Sequence, residues 1–151
     1  MGMFPGGPQT ILLVEDNDDH AELILRSLQA MAGGNRIVRV SDGQEALDYL
    51  HREGGYRDPL TSPFPTVIFL DLRLPRVDGL DVLKIVKSDE RLKHIPVVIL
   101  TSSDVENDIL QSYQLHANSY VVKPFDFRNF MKLMSDLGFY WLSCNTNPVY
   151  G

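Results

Sequence analysis

The sequence predicts an α/β fold, a doubly wound sheet of five parallel strands, and three observations point there. Short apolar runs alternate with segments of helical period, the pattern of a parallel sheet covered by helices on both faces. The runs are short and bounded by turn residues, as buried strands are. Each of four runs also stops at a polar side chain: Ile11–Val14 at Glu15 and Asp16, Val67–Leu70 at Asp71, Val97–Leu100 at Thr101 and Ser102, and Tyr120–Val122 at Lys123. Ligands of open α/β sheets bind beyond the carboxyl ends of the strands, where strand order reverses.

The elements follow in order. The first strand is expected over Thr10–Val14, and Asp18 or Asp19 then caps a helix whose face includes Leu23, Ile24, Ser27, Leu28 and Met31. Gly33-Gly34 stops it. The alternating run Arg36–Val40 reads as an edge strand with one wetter face, and Ser41 or Asp42 starts a helix bearing Ala46, Leu47 and Leu50. Arg52–Pro65 holds two Gly and three Pro and reads as a long loop. After the third strand, Leu74-Pro75 turns the chain into a helix over about Gly79–Lys87. Pro96 opens the fourth strand, where its missing N–H does least harm. A helix over Asp104–Leu115, capped by Ser103 or Asp104, leads to the fifth strand. Lys123-Pro124 then precedes a last helix over Asp126–Trp141. Its stripe of Phe127, Phe130, Met131, Met134, Leu137 and Trp141, widened by Leu133 and Tyr140, exceeds what one core face needs and suggests a partner, most simply a second copy.

Composition excludes several classes. A chain of 151 residues fits one domain able to bury a real core. A net charge of −6 without a basic cluster argues against nucleic acid as a partner, and no apolar stretch is long enough to span a bilayer. The single Cys144 permits no intrachain disulfide, which suits a reducing, cytoplasmic location. His20, His51, His94 and His116 lack metal-ligand spacing and read as surface residues, with His116 available to an interface. Gly-rich phosphate loops, a Ser–His–Asp order and CxxC are absent.

The strand-end residues are the parts of a divalent-metal site that handles a phosphoryl group. Glu15-Asp16 with Asp18-Asp19 alone is also an ordinary acidic helix start, Lys123 alone an ordinary surface charge and Thr101 alone an ordinary cap. Asp71 resists that treatment, because a carboxylate closing a buried strand is costly without a partner.

Four ordered motifs carry a resemblance to the receiver domain of two-component response regulators. Leu13-Val14-Glu15-Asp16-Asn17 is similar to the family's acidic pair. Leu70-Asp71-Leu72-Arg73-Leu74-Pro75 with Asp78-Gly79 is similar to its phosphoacceptor strand and loop. Val98-Ile99-Leu100-Thr101-Ser102 and Tyr120-Val121-Val122-Lys123-Pro124-Phe125 resemble its other two signatures. The resemblance implies a flavodoxin-like fold with strand order 2-1-3-4-5. It implies Asp71 as phosphoacceptor, with Lys123 and Thr101 contacting phosphoryl oxygens. Mg²⁺, or Mn²⁺ or Ca²⁺ in its place, would be held by Glu15 or Asp16, by Asp71 and by the main-chain carbonyl of Arg73. Thr101 and Tyr120 would be the switch pair. Arg73 and Ser103 occupy the positions that tune phosphate lifetime, and a long Arg73 could screen attacking water. Such a protein supports its own phosphoryl transfer and dephosphorylation without being a turnover enzyme.

A narrower resemblance, to the stand-alone regulators of bacterial and cyanobacterial phytochromes, rests on the long loop before the third strand, on Ser112–Tyr120 and on Phe139-Tyr140-Trp141-Leu142. It implies a phytochrome histidine kinase as phosphoryl donor and a homodimer through the fourth helix, fifth strand and fifth helix. The organisation expected is a flexible tail over 1–9, a receiver domain over 10–142 and a short tail over 143–151 with no output domain. A haloacid-dehalogenase phosphatase needs a second acid where Arg73 stands, and the acids after the first strand would repel a flavin phosphate. The remaining alternative is a receiver-shaped interaction module that works without phosphorylation.

Overall fold

The computed structural model describes residues 9–30 and 35–146. Its elements are β1 (Thr10–Val14), α1 (Asp18–Gln29), β2 (Arg36–Val40), α2 (Gly43–Leu50), β3 (Val67–Leu70), α3 (Gly79–Ser88), β4 (Val97–Thr101), α4 (Glu106–Gln114), β5 (Ser119–Val122) and α5 (Phe127–Phe139). Neighbouring strands pair in parallel in the order β2-β1-β3-β4-β5, the flavodoxin-like topology expected. β2 lies at an edge and only Val40 is fully buried there, which accounts for its alternating sequence. The three central strands are buried along their whole length, hence their unbroken apolar runs.

Successive side chains of a strand point to opposite faces, so one run feeds two cores. Ile11, Leu13, Phe69 and Val98 pack with Ile24 and Leu28 of α1 and Phe130 and Met134 of α5. Leu12, Val14, Ile68, Leu70 and Ile99 pack with Ala46 and Leu47 of α2 and Val82, Leu83 and Val86 of α3. Each fully buried aliphatic side chain contributes about 1.5–3 kcal/mol relative to exposure.

Several boundaries differ from expectation, each for a local reason. Asn17, not Asp18 or Asp19, caps α1, its side chain accepting the His20 N–H at 3.0 Å. Asp42, one of the two expected starts, caps α2, and Asp126, expected as the first residue of the last helix, caps α5. α4 begins at Glu106 and not at Asp104. Ser103 is engaged instead in accepting the Val105 N–H and in donating to Asp108, so the chain is still turning there. α5 gives way after Phe139 to a wider, π-type turn, Tyr140–Cys144, closed by the Asn145 N–H on the Tyr140 carbonyl at 2.7 Å. Of the last helix's stripe, Phe130, Met134 and Trp141 are buried, whereas Phe127 and Tyr140 are exposed.

Gln9, placed with the flexible tail by sequence, is tied down. Its carbonyl accepts the Arg36 N–H, and its amide donates to the Leu142 carbonyl at 2.7 Å. Met31, Gly33-Gly34, residues 1–8 and residues 147–151 lie outside the described part. The loop after α2 carries a short 3₁₀ turn, Gly54–Tyr56. Tyr49 donates to the Pro63 carbonyl at 2.6 Å, and Arg52 stacks over Phe64 at 4.4 Å. The loop is therefore anchored despite its Gly and Pro content.

Gly79, the first residue of α3, sets how closely that helix approaches the end of β3. Its N–H donates to the Leu72 carbonyl at 2.8 Å, and a Cβ there would lie 2.2 Å from the Asp71 carbonyl oxygen and 2.6 Å from the Leu72 Cα. Both obstacles are backbone, so relief requires moving the loop that follows Asp71. Gly79→Ala is expected to destabilise the protein by about 1–3 kcal/mol. A urea melt would measure it, and a midpoint equal to that of the parent would show that the loop yields freely.

Candidate functional site

The sheet register extends one residue past the strand ends and brings distant segments to one rim. The Asp71 N–H donates to the Val14 carbonyl (3.1 Å), Glu15 N–H to Val40 (3.1 Å) and Lys123 N–H to Thr101 (2.8 Å). Glu15, Asp71, Thr101 and Lys123 thereby stand together, all buried, around a cleft of about 250 Å³. Asp16, Asn17, His20, Arg73, Ser102 and Ser103 complete its lining. The cleft opens where strand order reverses between β1 and β3, the usual ligand position of this topology.

Asp71 has the partners that its burial demands. Its Oδ1 accepts the Leu72 N–H at 2.7 Å, and its Oδ2 accepts from the Lys123 ammonium at 3.1 Å. Lys123 also donates to Glu15 Oε1, so one cation holds two carboxylates. Burial pushes the Glu15 carboxyl up to about 7, opposed by the charge and hydrogen bond of Lys123 and reinforced by the neighbouring Asp71. Asp16 is exposed at the mouth. One carboxylate oxygen each from Glu15, Asp16 and Asp71 lies within 4.8 Å of the others. Three hard oxygen donors at such separation, open to water on one side, fit a hard divalent cation.

Three residues that line the cleft or hold its lining in place have no counterpart among the site residues expected from the sequence. His20, expected on the surface, faces Lys123 with its Nδ1 3.0 Å from the ammonium, and its ring lies 6.0 Å from that of Phe130. An ammonium has no acceptor, so Nδ1 accepts and the imidazole is neutral. Burial and the charge of Lys123 lower its pKa accordingly. Its placement follows from α1: His20, Ile24 and Ser27 share one helix face, and extending the apolar stripe one turn backwards would have included it. Arg39, on the wetter edge strand, reaches across to donate twice to the Glu15 carbonyl (2.9 and 2.8 Å) and once to Asp18 (2.9 Å). Asp108 is a buried acid of α4 that receives hydrogen bonds from both Arg73 and Ser103, which hold its carboxyl below the usual range. The other histidines are peripheral: His51 pairs with Asp89 at 3.2 Å, and His94 and His116 are exposed.

Tyr120 on β5 is half-buried, its hydroxyl donating to the Ser103 carbonyl at 2.9 Å. The residue thus touches the β4–α4 loop that follows Thr101.

A buried carboxylate flanked by two further acids, a hydroxyl and a lysine at the carboxyl edge of a parallel five-stranded sheet defines an α/β domain whose cleft fits a divalent cation. Residues 11–135 match the response regulator receiver domain, and the chain belongs to that family. Among its relatives is the probable methanogenesis regulatory protein FilR2 of Methanothrix harundinacea, 44% identical over 142 residues, with 93% of this chain and 88% of the relative covered. Response regulator Rcp1 of Synechocystis is 37% identical over 94% of this chain and 95% of its own length. The crystal structure of Mn²⁺-bound Rcp1 covers 94% of this chain and 100% of its own with a TM-score of 0.88. The crystal structure of the phosphorylated cyanobacterial phytochrome response regulator RcpA gives a TM-score of 0.90 at 40% identity, covering 95% of this chain and 100% of its own. The chain is therefore a receiver related to phytochrome response regulators, and family membership implies a histidine kinase as partner. Among the described residues no helix is long and apolar enough to cross a membrane.

Proposed function

We propose that this protein is a cytoplasmic response regulator that takes a phosphoryl group onto Asp71 from the phosphohistidine of a sensor kinase. The observation that carries the reading is the convergence of the Glu15, Asp16 and Asp71 carboxylates within 4.8 Å beside the Lys123 ammonium. In the transfer a carboxylate oxygen of Asp71 forms the new bond to phosphorus as the kinase's N–P bond breaks, and the imidazole keeps the electron pair and is protonated. Little covalent work falls to the protein beyond positioning and neutralising charge. The Leu72 N–H fixes the Asp71 carboxylate, Lys123 meets one phosphoryl oxygen as a point charge and Thr101 donates to another. Glu15 or Asp16, Asp71 and the main-chain carbonyl of Arg73 would hold the cation, Mg²⁺ or Mn²⁺ or Ca²⁺ in its place, which supplies neutralisation of the phosphoryl oxygens when bound.

The phosphoryl group brings about −1.5 to −2 of charge and three acceptor oxygens. Thr101 turning toward it frees the space into which Tyr120 moves, at the cost of its hydrogen bond to Ser103. That movement biases the α4–β5–α5 face, where Leu110, Tyr113, Val122, Phe125 and Phe127 are exposed, and a second copy docking there makes the homodimer. The relation to RcpA and Rcp1 supports a phytochrome kinase as donor, and the net charge of −6 argues against nucleic acid as target. The protein is not a turnover enzyme, and it dephosphorylates itself by hydrolysis.

Incubation with acetyl phosphate and Mg²⁺, followed by intact mass, tests the reading: a gain of one phosphoryl mass is expected. Absence of any gain with acetyl phosphate and with candidate kinases would favour a phosphorylation-independent binding module. Phosphotransfer profiling against histidine kinases of the source organism then identifies the donor.

A further inference from the structure

The side chains of Arg73 and Ser103 belong to different loops, one after β3 and one after β4, yet they meet on a single atom. Asp108 Oδ2 accepts from the Arg73 guanidinium and from the Ser103 hydroxyl, the latter at 2.7 Å. The Asp108 side chain is only 8% exposed, and α4 fixes it further through the Ser112 hydroxyl on its carbonyl at 2.8 Å. Arg73 and Ser103 both line the cleft, and Arg73 is more than half exposed, so the pair spans the mouth from one loop to the other. A charge-assisted bond to a shielded carboxylate holds a long side chain in place better than a surface pair does. Arg73 is thus kept from moving freely in solvent.

We propose that Asp108 is a positioning residue for loss of the phosphoryl group: by drawing Arg73 and Ser103 together across the cleft mouth, it slows entry of the hydrolytic water. The inference rests on Asp71 being the phosphoacceptor. In the hydrolysis, the oxygen of water forms a bond to phosphorus and the bond from phosphorus to the Asp71 oxygen breaks. Asp71 regains its carboxylate, inorganic phosphate leaves, and the proton of the water passes to solvent. None of this involves Asp108 directly, so its effect travels through the two side chains it holds.

The test uses the full chain loaded with acetyl phosphate and Mg²⁺, then freed of donor, with decay followed by intact mass. Asp108→Asn keeps the shape and removes the charge. Loading should reach the parent's extent while decay quickens about tenfold, the factor that the loss of one ordinary hydrogen bond's worth of barrier produces. Arg73→Ala should quicken decay similarly, and the double variant should decay no faster than about twice the quicker single, since both act through one contact. Decay of Asp108→Asn within about twofold of the parent, or multiplicative effects in the double variant, overturns the proposal. If Asp108→Asn does not fold, Arg73→Ala with Ser103→Ala asks the same question. The two residues are joined through Asp108, so independent effects on decay would refute its role. A parent that never gains mass overturns the reading of Asp71 and this inference with it, whereas a parent that gains mass and decays at the Asp108→Asn rate overturns this inference alone.

Discussion

Asp71→Asn should take up no phosphoryl group from acetyl phosphate or from a kinase, while remaining folded. The carboxylate is the nucleophile in the proposed transfer, and an amide in its place has no oxygen able to form the acyl phosphate, so loss of uptake should be complete. Two opposing effects on stability keep the variant folded. One of two buried carboxylates that face each other across Lys123 loses its charge, which lessens repulsion from Glu15. Against that, Asp71 now accepts at both oxygens, from Leu72 N–H and from Lys123. An asparagine can satisfy only one of these donors and turns its own NH₂ toward the other, at about 1–3 kcal/mol. The net change is small against ordinary domain stability, of about 5–15 kcal/mol. A variant that is folded by circular dichroism and melts near the parent, yet shows no mass gain, meets the expectation. Any mass gain that survives the substitution would place the acceptor elsewhere.

The strand ends were legible in the sequence because a parallel sheet buried on both faces leaves its central strands no polar positions except at their ends. Val14, Leu70 and Leu100 are therefore followed at once by the polar residues of the rim, and the shared register brings Glu15, Asp71, Thr101 and Lys123 to one level. Strand order came from resemblance, since nothing in the separate runs says which lie side by side. Features that depend on reach between elements were not legible. Arg39 looked like the wet face of an edge strand, and only the β1–β2 pairing shows its guanidinium falling on the Glu15 carbonyl. Asp108 is one of several polar residues of α4, and its burial follows from its hydrogen bonds to Arg73 and Ser103 of the loops after β3 and β4. The start of α4 at Glu106, later than the expected Asp104, has the same cause, because Ser103 spends its hydroxyl on Asp108 in place of a helix cap.

Lys123→Met should be the most destabilising single change at the site, and its size should depend on pH and on divalent cation. The ammonium is nearly inaccessible and holds Glu15 and Asp71 together, with His20 Nδ1 at 3.0 Å. Removing one member of a buried ionic cluster costs about 3–5 kcal/mol when the remaining charges stay buried. Glu15 offers a way out, because its carboxyl already sits at about 7, above its ordinary value of 4.5. A carboxyl raised on folding binds more protons in the folded chain than in the unfolded one across that interval. Its contribution is therefore most favourable below about 4.5 and declines as pH rises toward about 7. Without Lys123 the Glu15 value climbs further, and the decline continues into more alkaline solution. Urea melts without metal should thus separate parent and variant least near pH 5 and most near pH 8. A divalent cation takes over the charge that the lysine supplied between the same carboxylates, so Mg²⁺ should raise the midpoint of the variant more than that of the parent. It must also displace the proton from Glu15, so its apparent affinity for the parent should increase with pH up to about 7. A gap between parent and variant that is the same at both pH values, and indifferent to Mg²⁺, would mean that Lys123 is held by packing and not by the acids around it.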